Sequence, residues 1–203
     1  MLLRRELKKF FFSFFITIIF INCSSIPVTT DIHPIKSKNF KIREKVIINS
    51  VSIPALDSTF GRYNLESKLE FNLKNFLERE NIFKQVILHS ETEDNDKSNR
   101  FNFNFTEYKT RRKANPLTFL FGILTLGIYL VVGPIAYDNV HFICEMEVLD
   151  YKERSIFKTI REIKQEKEIG IFSRENLIQN AGEARALLFL DLINEYKDFK
   201  YKK

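Results

Sequence analysis

The chain has 203 residues, a net charge of +6, two cysteines, 21 phenylalanines and no tryptophan. That balance is mildly basic and not a nucleic-acid footprint, which needs Lys and Arg clustered on one face, and two cysteines exclude a disulfide-built scaffold. The length suits one domain stabilised by packing an aromatic core.

The first 25 residues organise the rest. Arg4, Arg5, Lys8 and Lys9 precede an apolar run over residues 10–21, broken only by Ser13 and Thr17. Twelve helical residues span about 18 Å, short of the ~30 Å hydrocarbon core of a bilayer. A short apolar run behind positive charge reads as a secretory signal over residues 1–22. No small-x-small exit follows it. Phe20-Ile21-Asn22-Cys23 stands there instead.

That phrase resembles the lipobox of bacterial lipoproteins, with Asn22 where Gly or Ala is usual and Phe20 where Leu is usual. Looser boxes of this kind are familiar in spirochaetes, and the Phe-, Ile-, Lys- and Asn-rich composition suits them. The resemblance implies that Cys23 is the lipidated first residue of the mature chain, carrying a covalent diacylglycerol and an acyl chain such as palmitate. No other cofactor is expected. One acyl chain holds a membrane only marginally, whereas two or three hold it stably. The opposing reading is an uncleaved signal anchor with an incidental cysteine. Ser24 and Ser25 do not resemble an inner-membrane retention signal, which favours the periplasmic face of the outer membrane over the inner membrane.

Residues 23–43 mix Ser, Pro, Thr, Lys and Asp without a period and read as a flexible tether. The folded body is expected over 44–203. Residues 46–53 (VIINSVSI) predict a first strand stopped by Pro54, and 54–63 predict a loop. With Asn64 as cap, Leu65, Leu69, Leu73, Phe76 and Leu77 predict a helix over 64–79, supported by a Glu70–Lys74 pair. Residues 83–89 predict a second strand. Asp94, Asp96 and Ser98 begin like a calcium loop, but Asn99 stands where the glycine belongs and Phe105 where the bidentate Glu belongs. A solvated turn is the expectation, with no metal.

Residues 101–108 (FNFNFTEY) alternate, with Phe101, Phe103 and Phe105 on one face and Asn102, Asn104 and Thr106 on the other. The pattern returns in 140–149, where Cys144 shares the apolar row with Val140, Phe142, Met146 and Val148. A charged turn leads to a third such run, 155–167, expected as an edge strand. Ser173 caps a last helix whose Leu177, Ala181, Ala184, Leu188, Leu192 and Tyr196 are spaced to cover a sheet.

Between the alternating strands, residues 114–137 carry no charge over 24 positions. Gly122, Gly127, Gly133, Pro116 and Pro134 break this stretch into short pieces, and Lys109, Arg111, Arg112 and Lys113 precede it. Three readings fit: a helical or re-entrant hairpin dipping into the leaflet with the basic cluster on headgroups, an apolar loop buried against a partner or second subunit, or a true span. The expected membrane contacts are Arg111, Arg112, Lys113, Leu117, Phe119, Leu120, Phe121, Ile123, Leu124, Leu126, Ile128, Tyr129, Leu130, Val131 and Val132.

The order strand, helix, strand, strand, insertion, strand, strand, helix predicts an α+β two-layer sandwich: a mixed, mostly antiparallel sheet with two helices on one face. The order, with Leu124-Thr125-Leu126-Gly127 ahead of an alternating strand, resembles small envelope lipoproteins of the curli-secretion and TolB amino-terminal type. That resemblance implies a binding or assembly role with other envelope proteins or by self-association. His33, His89 and His141 have no metal-ligand neighbours, and no nucleophile elbow or phosphate loop is present. The expectation is a non-catalytic, lipid-anchored envelope protein, the alternative a membrane-active or pore-forming oligomer that uses the insertion.

Overall fold

The computed structural model describes residues 29–33, 41–54, 59–93, 96–125, 133–170 and 177–202. Five strands form one sheet in the order β2-β1-β3-β4-β5: β1 (Ile42–Ser52), β2 (Phe83–Leu88), β3 (Asn99–Ala114), β4 (Pro134–Leu149) and β5 (Ser155–Gly170). Among the described residues three α-helices accompany them: α1 (Thr59–Arg79), α2 (Pro116–Leu124) and α3 (Leu177–Tyr201). The architecture is the expected α+β sandwich. Residues 28–110, 140–165 and 176–203 gather into one compact unit; a second includes 111–139 and 166–175.

The sheet is mixed. β1 is parallel to both β2 and β3. β2 pairs with Ile42 to Ile48 and β3 with Val46 to Ser52, so the two neighbours grip opposite ends of β1. The partners of β3 step backwards along β4, Tyr108 against Phe142 and Arg112 against Asp138, which makes that pair antiparallel. β4 and β5 are joined by a short turn and bring His141 to Glu162 and Lys158 to Glu145, again antiparallel.

The larger unit's core follows the alternation read from the sequence. Phe101, Phe103, Phe105, Phe142, Cys144 and Met146 are all buried. Phe189 of α3 stands edge-on to Phe103 and Phe105, and Tyr196 to Phe101. On α1 the buried row is Leu69, Leu73, Phe76 and Leu77. Asn102 and Asn104 of β3 face the other way and are satisfied laterally: Asn49 Nδ2 and Ser50 Oγ donate to Asn102 Oδ1, and Ser52 Oγ donates to Asn104 Oδ1.

Several boundaries differ from the sequence reading. α1 starts at Thr59 rather than after Asn64, so part of the expected loop is helical. β1 starts at Ile42, inside the expected tether. Glu70 does not pair with Lys74: its Oε1 accepts from the Val51 amide, while Lys74 bonds Glu91. Ser173 lies outside the described residues. In the calcium-like turn, Lys45 lies 2.6 Å from Asp96, and this bond, with that from Ser98, pulls the Asp96 carboxyl down to about 2.

The largest difference concerns residues 29–33, read as part of a flexible tether. They are clamped in the larger unit. Arg185, fully buried on α3, donates from Nε and Nη2 to the Asp31 carbonyl at 2.8 and 2.5 Å. Its Nη1 reaches the Thr29 carbonyl at 2.8 Å and the Tyr108 hydroxyl at 3.0 Å, and Nη2 reaches Thr29 Oγ1 at 2.9 Å. Tyr108 donates to the same Thr29 carbonyl at 2.7 Å, and Asn72 Nδ2 to the Thr30 carbonyl at 3.0 Å. The guanidinium also lies over the rings of Tyr108 and Phe142, a favourable place for a desolvated cation. Burial lowers the Arg185 pKa, an effect opposed by the Tyr108 hydroxyl and the Asp31 carboxylate. At Gly182 an added Cβ would lie 2.1 Å from His33 Cδ2, so a glycine is needed for the close approach of segment and helix.

Candidate membrane-contact site

The smaller unit contains α2, whose start follows from Asn115-Pro116. Asn115 is the N-cap: its Oδ1 accepts from the Leu117 amide at 3.1 Å and its carbonyl from the Thr118 amide at 3.2 Å. Pro116 takes the first helical position, where a missing N–H costs nothing. Asn115 also donates from Nδ2 to the Pro134 carbonyl at 3.1 Å and to the Tyr137 hydroxyl at 3.0 Å, and its amide meets the Ile135 carbonyl. Thr118 Oγ1 donates to the same Pro134 carbonyl. Thr118 and Gly122, one turn apart on α2, are buried on that side.

Its outer face is apolar. Leu117, Leu120, Phe121 and Leu124 fall at helical spacing and are 58, 54, 43 and 69% exposed. A helix of a water-soluble body turns such a stripe inward; here it points outward. Large contiguous apolar exposure marks a contact with lipid or protein.

The basic cluster before the helix splits in two. Arg111 and Lys113 are exposed on β3. Arg112, on the alternate side, forms a two-point bond with Asp138, Nε to Oδ1 at 2.6 Å and Nη2 to Oδ2 at 2.8 Å. The Asp138 side chain is fully buried, and the bond to it raises the Arg112 pKa. Strand alternation decides this: neighbours 111, 112 and 113 cannot share a face. Arg112, expected among the headgroup contacts, is thus held in an ion pair with Asp138.

Of the remaining expected contacts, Phe119 and Ile123 lie on α2, but their side chains fall outside the described residues, as do Leu126, Ile128, Tyr129, Leu130, Val131 and Val132 and the lipidation candidate Cys23. Among the described residues no helix is long and apolar enough to cross a membrane. α2 has nine residues, about 13 Å of rise. His141 sits 2.8 Å from Glu162, in a cross-strand pair. Among the described residues no cluster of three or more His, Cys, Asp or Glu is placed to hold a metal.

No protein-family model and no curated protein sequence matches the chain. Solved structures are similar to it. Protein XCC0632 from Xanthomonas campestris, of the DUF330 family, has a TM-score of 0.45 at 9% identity, over 85% of this chain and 96% of that one. A neuraminyllactose-binding hemagglutinin homolog from Helicobacter pylori has 0.40 at 14% identity, over 84% and 91%. A minor lipoprotein from Acinetobacter baumannii has 0.34 at 14% identity, over 77% and 89%. Likenesses of this size carry no residue and no role across to this chain.

Proposed function

We propose that this is a lipid-anchored envelope protein with a binding or assembly role, whose outward apolar helix α2 is its second contact with the membrane. The observation that carries the reading is the outward stripe of Leu117, Leu120, Phe121 and Leu124 on a helix that Thr118 ties to the Pro134 carbonyl. Fully burying a Leu or Phe side chain is worth about 1.5–3 kcal/mol. Four side chains about half exposed therefore offer roughly 4 kcal/mol to a nonpolar surface. Arg111 and Lys113 add up to about 1 kcal/mol each near an anionic lipid surface. A nine-residue helix is too short to span, so the geometry suits lying in the headgroup region. The acyl chains expected on Cys23 supply the permanent attachment; α2 then sets how the body meets the surface.

The test uses the mature chain with Cys23→Ser, which removes the lipid and leaves α2 alone. In vesicle flotation it is expected to float with phosphatidylglycerol-containing vesicles, to float less at 0.5 M salt, and to bind phosphatidylcholine weakly. Equal absence from every vesicle would reject α2 as a membrane contact and turn the stripe toward a protein partner.

A further inference from the structure

The clamp on residues 29–33 changes how far the body can stand from its anchor. Were residues 24–41 free, nineteen peptide steps would separate Cys23 from the start of β1 at Ile42. At 3.3–3.6 Å per step that is about 65 Å. Instead the backbone is caught at Thr29, six steps from Cys23, and six steps reach about 20 Å at most.

The hold is not incidental. Three elements contribute: Arg185 from α3, Tyr108 from β3 and Asn72 from α1 all bond the segment, and the His33 amide donates to the Gly182 carbonyl. Thr30 and Ile32 are buried. Releasing the segment would strip Arg185 of its hydrogen-bond acceptors other than Tyr108, leaving a buried cation poorly compensated. The segment therefore belongs to the folded state, whatever path residues 24–28 take.

We infer that the clamp of Arg185, Tyr108 and Asn72 on residues 29–33 shortens the lipid leash to the six steps after Cys23, so that the body works against the surface of the bilayer holding it. The inference rests on the reading of Cys23 as the lipidated residue. A short leash makes the α2 contact effectively intramolecular, where a modest affinity suffices because the local concentration is high. The partner of the folded body is then the lipid surface itself.

The test inserts one flexible Gly/Ser stretch of twelve residues at either of two places in the full lipidated chain: between Ser25 and Ile26, or between Ile35 and Lys36. Both chains carry Leu117, Leu120, Phe121 and Leu124 as serine, so the leash alone sets the distance. A donor dye on Lys68→Cys, an exposed position of α1, reports energy transfer to an acceptor in the vesicle headgroups. The upstream insertion raises the r.m.s. reach of the leash from about 13 to about 23 Å and is expected to lower the transfer. The downstream insertion is expected to leave it unchanged. Equal loss from both, or loss from neither, would overturn the inference. The mass of the amino-terminal peptide separates the two failures: a peptide without acyl chains defeats the anchor reading, whereas an acylated peptide with equal loss defeats the clamp.

Discussion

Arg185→Leu is expected to lower the unfolding free energy by about 3–5 kcal/mol, the range for removing one partner from a buried charged set. The guanidinium is fully buried and its hydrogen bonds go to the Thr29 and Asp31 carbonyls, Thr29 Oγ1 and the Tyr108 hydroxyl. Leucine fills much of the volume but leaves those carbonyls facing an apolar side chain, each at a cost of about 1–3 kcal/mol. The loss has a ceiling, because residues 29–33 can leave the body and hydrate their carbonyls in water. Arg185→Lys keeps the charge but cannot fork to both carbonyls, so it falls between wild type and leucine. Urea unfolding followed by circular dichroism measures all three; the chain has no tryptophan to report by fluorescence. A leucine variant as stable as wild type would show that the clamp contributes nothing to folding.

The second large effect is on membrane affinity with little on stability. Converting Leu117, Leu120, Phe121 and Leu124 together to serine removes roughly 4 kcal/mol of available transfer energy, which is about two to three orders of magnitude in vesicle partitioning of the Cys23→Ser chain. All four side chains are exposed, and surface substitutions usually shift stability by no more than about 0.5 kcal/mol. The same variant is therefore expected to unfold at nearly the wild-type urea concentration. A variant that partitions like wild type would remove the stripe from the account. One that loses stability by several kcal/mol would show that the four side chains pack on protein.

The parts that were legible in the sequence are those where side-chain identity and geometry speak together. Phe101, Phe103 and Phe105 alternating with Asn102, Asn104 and Thr106 predicted both faces of β3. Leu177, Ala181, Ala184, Leu188, Leu192 and Tyr196 predicted the buried side of α3, and all six are buried. The clamp was not legible, because residues 29–33 are held through backbone carbonyls and carbonyls leave no mark on a sequence. A signal existed on the other partner: Arg185 lies between Ala184 and Ala186, both buried, four positions after Ala181 and three before Leu188, on the apolar side of α3. A cation there requires acceptors. The partner of Arg112 was hidden for a related reason. Composition put this arginine with Arg111 and Lys113, whereas strand alternation turned it toward Asp138, 26 positions away across the insertion. The start of α1 was missed because Pro, Asp, Ser and Gly in residues 54–61 read as loop chemistry, which the observed helix overrides from Thr59.

The claim that α2 rests on lipid is tested most directly by depth. A single environment-sensitive fluorophore on Leu120→Cys in the lipidated chain, reconstituted in anionic vesicles, reads it. Cys144 does not compete for the label, since burial hides its thiol and raises its pKa well above the ordinary value. The account predicts a blue-shifted probe at position 120 that is quenched by nitroxide-labelled lipids. A probe at position 120 that stays in water while the protein is held on the vesicle would contradict it.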